Sequence, residues 1–191
     1  PQFPKHYWNF CDRLKKNGVN VLGIGDSPYD ALSDELKNAL TEYYYLPHLD
    51  DYGEMVKAVG FFTFKYGKID WIESNNEFWL EQDARLRTDF HVTTGEQYDH
   101  IDRIKNKSAM KAYYAKAGVP TARLHKVTSF EAGRDFAHMV GYPVIVKPDN
   151  GVGACDTYKL RSDDELAYFY ATKPQDVPYV MEEFINGQIF S

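Results

Sequence analysis

Apolar residues recur along the chain with two alternating periods, about 3.6 and 2, which predicts helices and strands in turn from one end to the other. A helix over Tyr7 to Lys16 feeds a strand, Val19 to Ile24, and the turn Gly25-Asp26-Ser27-Pro28. Leu32, Leu36 and Leu40 share one face of the next helix, Tyr43 to Leu46 is a short strand, and Tyr52, Met55, Val56 and Val59 line another helix. Lys68 to Glu73 reads as a strand and Ser74 to about Phe90 as a helix, with Ser74 as N-cap and Glu77 completing a capping box. Helix–strand pairs of this length predict a parallel sheet covered on both faces.

The pattern breaks near Thr93 to Glu96, where the domain boundary is placed: an α/β domain over 1–95, a polar linker helix over 96–106, and a second domain over 107–191. In the second domain a helix runs from Ser108 to Ala117, followed by the turn Gly118-Val119-Pro120 and a strand to Val127. A helix opened by Thr128 and Glu131 closes at Gly141, then strands at Pro143 to Lys147 and Asp156 to Leu160 flank a glycine loop. A helix capped by Ser162 with Glu165 precedes the last strand, Tyr179 to Phe184.

Composition narrows the functional classes. The 191 residues are 43% hydrophobic and 26% charged, the balance of a folded globular chain rather than a disordered one. A net charge of −6 argues against nucleic acid or an anionic membrane as a partner held by phosphate electrostatics. No apolar run approaches the roughly 20 residues of a membrane span, and Pro1 to Phe10 does not read as a signal peptide, so a cytoplasmic protein is expected. Cys11 and Cys155 have neither disulfide nor zinc spacing and read as free thiols; Cys155 as a nucleophile lacks a partner.

Several elements carry phosphate chemistry. Val144-Ile145-Val146-Lys147 is an apolar strand ending in a cation, which is costly to bury without an anion. Asp149-Asn150-Gly151-Val152-Gly153 follows, where glycines let backbone N–H groups approach phosphate oxygens. Lys107 sits forty residues upstream at a helix start, where the macrodipole also favours anions. Singly, each has a plainer reading as a snorkelling lysine, a hairpin turn or a solvated residue. The strand Tyr179-Val180-Met181-Glu182-Glu183-Phe184-Ile185 adds a backbone edge able to pair with adenine. In the first domain, Asn75, Asn76 and Glu77 at a strand end are candidates for substrate contact, beside their capping role.

Four segments in order, Lys107-Ser108-Ala109-Met110-Lys111 with Ala117 to Pro120, Gly141 to Pro148, the loop to Gly153, and Met181 to Gly187, resemble the ATP-grasp superfamily, and within it carbamoyl-phosphate-synthase-large-chain-like proteins. Val21 to Asp26 with Ile69 to Leu80 resembles the Rossmann-like domain that precedes the grasp in those proteins. The resemblance implies an α/β pre-ATP-grasp domain with a parallel sheet, then the first α+β subdomain of an ATP-grasp fold. It implies nucleotide contacts from Lys107 and Lys147, phosphate closure by Asp149, Gly151, Val152 and Gly153, and adenine held by Glu182, Glu183, Phe184 and Ile185.

The implied reaction is ligation: a carboxylate or bicarbonate is activated by ATP and Mg2+ as an acylphosphate and captured by an amine. Catalytic groups and magnesium ligands are expected after Ser191, so no metal ligand is assigned within 1–191 and the chain alone is expected to be inactive. The position two after Gly187, acidic in many relatives, is Ile189, and no ribose contact is assigned. A non-catalytic nucleotide-sensing module is one alternative. An interaction domain displaying Tyr43-Tyr44-Tyr45 and Tyr168-Phe169-Tyr170 is another, although these aromatics are expected in the core.

Overall fold

Alternating apolar positions need a surface to bury, and in the computed structural model, which describes residues 5–188, two separate sheets provide it. The chain divides into two compact units between Tyr98 and Asp99. The first holds α1 (Trp8–Lys16), β1 (Leu22–Gly25), α2 (Asp34–Ala39), β2 (Glu42–Tyr45), α3 (Tyr52–Tyr66) and α4 (Leu80–Asp89). β1 and β2 are parallel, with Leu22 opposite Glu42 and Gly25 opposite Tyr45. Between them Ser33 caps α2 by accepting from the Leu36 N–H, and Leu32, Leu36 and Leu40 bury together with Val21. A second cluster joins Leu46, Met55, Val59 and Leu86.

Two expectations for this unit are corrected. Lys68 to Glu73 forms no strand ladder among the described residues. Its carbonyls are claimed by side chains instead: Arg87 Nη1 donates to Ile72 O at 2.7 Å and Thr94 Oγ1 donates to Asp70 O, while Ile69 and Ile72 pack on the second cluster. Ser74 does not cap the following helix either. Its N–H and hydroxyl go to the buried Asp83 carboxylate, the hydroxyl at 2.6 Å, and Asn76 Oδ1 caps a 3-10 turn, Glu77–Trp79, by accepting from Phe78 N–H.

The second unit runs α5 (Asp102–Lys105), α6 (Lys107–Lys116), β3 (Leu124–Lys126), α7 (Phe130–Val140), β4 (Val144–Pro148), β5 (Tyr158–Leu160), α8 (Asp163–Thr172) and β6 (Tyr179–Glu183). The expected linker helix is a 3-10 turn, Tyr98–His100, followed by the four-residue α5. Ser129, not Thr128, caps α7, accepting from Ala132 N–H at 3.2 Å; Ser162 caps α8 as expected.

The sheet of this unit is antiparallel in the order β3-β6-β4-β5. Val144 and Val146 of β4, Leu160 of β5 and Tyr179 and Met181 of β6 bury against Phe136 and Ala137 of α7 and Leu166 and Phe169 of α8. Because side chains alternate along a strand, this burial sends Ile145 and Lys147 to the other face. The register, Ile145 opposite Glu182 and also opposite Lys159, adds Glu182 and Lys159 to that face.

Candidate nucleotide site

The apolar strand β4 ends by placing the Lys147 ammonium beside a carboxylate. Lys147 Nζ lies 2.6 Å from Glu182 Oε2, and the ammonium of Lys111, from α6, lies 2.8 Å from Glu182 Oε1. Glu182 is 8% exposed. Burial pushes its pKa up, but the hydrogen bonds from Lys111 and Lys147 more than offset this, so the carboxyl stays below its ordinary value and ionised at neutral pH. Two cations and one anion leave the cluster with a net positive charge, which suits a phosphate.

Lys107 occupies the start of α6 and reaches the glycine loop. Its Nζ donates to Gly151 O at 2.7 Å and to Asp149 O at 3.3 Å, while its backbone N–H donates to Asp149 O at 3.0 Å. The Asp149 side chain turns the opposite way: Oδ1 accepts from Ser108 N–H at 2.8 Å and Oδ2 from the Ser108 hydroxyl at 2.6 Å. It thereby supplies the cap that the Asn106 side chain does not provide to α6. The loop itself is tightly constrained. A Cβ on Gly151 would meet Pro148 Cβ at 2.9 Å, and Gly153 has φ 65°, a left-handed conformation also held by Ala154 and Asp156. Lys107, Ile145, Lys147, Pro148, Gly151, Ala154, Cys155 and Thr157 line a cleft of about 320 Å³ on the open sheet face.

At the end of β6 the expected adenine edge divides. Arg123 takes both oxygens of Glu183, with Arg123 N–H and Nε each at 2.7 Å, and these bonds hold the Glu183 carboxyl below its ordinary pKa. Past the strand, Phe184 and Ile185 are exposed and outside the ladder, and Lys159 Nζ sits 3.7 Å above the Phe184 ring. Val152 is half-buried in the loop. Lys107, Lys147, the loop and Glu182 are thus gathered in one unit. Asn75, Asn76 and Glu77 belong to the first unit, where Asn75 has φ 54° and Asn76 serves as a cap. Ile189 lies outside the described residues.

Three side chains were missed in the sequence. Lys111 was visible only as the residue one helical turn after Lys107, and Ser108 only as its neighbour; Lys159 looked like any surface lysine until pairing placed it on the open face. Among the described residues no group of three or more His, Cys, Asp and Glu side chains converges, and no metal ligand set is assigned.

Several known proteins resemble this chain in sequence or fold. Residues 102–186 match the family described as carbamoyl-phosphate synthase L chain, ATP binding domain. The L-arginine-specific L-amino acid ligase of Bacillus subtilis is 27% identical over 163 residues, covering 84% of this chain and 38% of the ligase. The carbamoyl phosphate synthase large chain of Clostridium botulinum, strain Alaska E43, is 26% identical over 157 residues, covering 82% of this chain and 14% of the synthase. The chain therefore spans well under half of the relatives it matches.

Among solved structures, the biotin carboxylase domain of Hydrogenobacter thermophilus 2-oxoglutarate carboxylase, a complex with MgADP, ADP and bicarbonate, superposes with a TM-score of 0.75 at 22% identity. That match covers 93% of this chain and 42% of the other, and it establishes the fold. Residues 102–186 thus resemble the ATP binding domain of the carbamoyl-phosphate synthase L chain, and the chain shares the fold of the biotin carboxylase domain.

Proposed function

We propose that the second unit is the first nucleotide-binding subdomain of an ATP-dependent carboxylate–amine ligase. The observation that carries this is the convergence of Lys147, paired with the buried Glu182, and Lys107, bonded to the glycine loop, on one cleft of the open sheet face. In this reading Lys107 and Lys147 meet phosphate oxygens of ATP and the backbone of 151–153 closes over them. Asp149 acts indirectly, by holding α6 and Lys107 against the loop. The backbone from Glu183 to Ile185 pairs with adenine, with the exposed Phe184 and Ile185 side chains against the ring.

Magnesium accompanies ATP in this proposal, with ligands from outside the described residues, and supplies charge neutralisation at the phosphates. A carboxylate oxygen of the substrate attacks the γ-phosphorus, the bond to the β-bridging oxygen breaks, and ADP leaves. An amine nitrogen then attacks the acyl carbon and expels inorganic phosphate, losing a proton as the amide forms. What this chain's residues contribute is positioning and positive charge around phosphates, which lowers the barrier to attack by one anion on another. A cytoplasmic setting belongs to the proposal and agrees with the free thiols of Cys11 and Cys155.

The test is a screen of the full-length protein for ADP and phosphate release with carboxylates, bicarbonate and amines. Release that requires both substrates supports the ligase; ATP binding without turnover under every combination identifies a sensing module instead. No binding at millimolar ATP would leave the interaction-domain reading.

A further inference from the structure

Glu182 is held by two lysines where one would neutralise it. Its side chain is 10% exposed, against 18% for Lys111 and 26% for Lys147. The two cations are not equivalent. Lys111 is tied from a second side, donating to Ala122 O at 2.5 Å, whereas Lys147 lines the cleft; among the described residues that line it, Lys111 is absent. One ammonium is held by the carboxylate and a backbone carbonyl, and the other lines the cleft.

We propose that Lys111 is a positioning residue whose hold on Glu182 frees Lys147 for the nucleotide. The inference rests on the nucleotide reading above and deepens it. Removing the only cation from a buried carboxylate is strongly unfavourable, because the anion is left desolvated and unpaired. Were Lys147 that only cation, every contact it made with phosphate would be made at the expense of Glu182. With Lys111 on Oε1, the Lys147 ammonium turns from Oε2 to a phosphate oxygen and leaves a neutral Lys111–Glu182 pair behind. The surplus positive charge of the cluster is what the phosphate receives. Glu182 in turn holds the Lys147 ammonium beside the cleft while no nucleotide is bound.

A purely structural role for Lys111, tying α6 to β6, predicts something different, because it does not depend on the charge of Glu182. ATP affinity is measured by calorimetry on the full-length protein carrying Lys111→Met, Glu182→Gln, both together, Lys111→Arg or Lys147→Met. Lys111→Gln is a second neutral variant that keeps a donor for the Ala122 carbonyl. Loss of the Lys111 charge is expected to weaken ATP binding about tenfold or more when Glu182 is present. The same change made in a Glu182→Gln background is expected to cost less than about threefold, and Lys111→Arg is expected to retain affinity.

Unchanged affinity in Lys111→Met and Lys111→Gln overturns the inference, as does an equal loss in both backgrounds. Failure of the nucleotide reading looks different: either the parent protein does not bind ATP or Lys147→Met binds it as the parent does, and the inference then falls with that reading.

Discussion

Replacing Asp149 by alanine should loosen the second unit even with no nucleotide present. The carboxylate makes two charge-assisted hydrogen bonds, to Ser108 N–H at 2.8 Å and to the Ser108 hydroxyl at 2.6 Å. Each such bond contributes about 1.5–3 kcal/mol when buried. Asp149 is buried but Ser108 is half-exposed, so water recovers part of the loss. Without Asp149, α6 also lacks a negative group at its N-terminus, an effect of about 0.3–1 kcal/mol.

The expected total is about 2–3 kcal/mol, with Asp149→Asn costing less because one acceptor oxygen survives. Tryptophan fluorescence cannot read this, since Trp8, Trp71 and Trp79 all precede Tyr98. Hydrogen–deuterium exchange of the α6 and β4 amides can, and 2 kcal/mol corresponds to about 30-fold faster exchange through global opening. Exchange and far-ultraviolet circular dichroism unfolding both unchanged in Asp149→Ala would refute the strut assigned to this side chain.

Arg87→Ala should destabilise the first unit by about 3 kcal/mol, because the buried guanidinium bonds Glu96 O at 2.8 Å and Ile72 O at 2.7 Å and both carbonyls would be stranded. Here tryptophan fluorescence during urea unfolding is the right probe, with Trp71 next to Ile72. His125 provides a pH signature in the second unit. Its ring stacks on Phe136 and its buried Nε2 has no hydrogen-bond partner among the described residues, so burial draws its pKa below the ordinary 6.5. The unfolded chain therefore takes up the proton first: stability is full above about pH 7 and declines as pH falls below 6.5, by at most about 1.4 kcal/mol per pH unit. His125→Phe should flatten the change in urea midpoint between pH 7.5 and 5.5 relative to the parent; an identical profile would contradict it.

Features fixed by periodicity were legible. Val144-Ile145-Val146-Lys147 forms the strand expected of an apolar run, with Val144 and Val146 buried against α7 and α8, and Leu32, Leu36 and Leu40 bury together, although only Leu36 lies within α2. Features decided by competition for a backbone group were not. Ser74 and Glu77 have capping-box spacing, but Asp83, nine residues away, claims the Ser74 hydroxyl. Lys68 to Glu73 has strand composition, yet Arg87 and Thr94 reach its carbonyls and, among the described residues, no neighbouring strand does.

The site divides along the same line. Lys147 and the glycine loop stand out locally, since a cation ending an apolar strand and closely spaced glycines are unusual within a few residues. The Lys111–Glu182 pair spans seventy-one positions, and only the packing of α6 against the sheet discloses it. Asp149 illustrates a third case: the resemblance implied phosphate closure by the loop from Asp149 to Gly153, whereas in the structure the Asp149 carboxylate accepts from Ser108.

The central claim, that the open face of this sheet takes ATP through Lys147, is tested most directly by calorimetric titration of ATP into the full-length protein and its Lys147→Ala variant. Loss of a charge-assisted phosphate contact predicts binding weaker by about 1–3 kcal/mol in the variant. Equal affinity in the two proteins would remove Lys147 from the site and contradict the account.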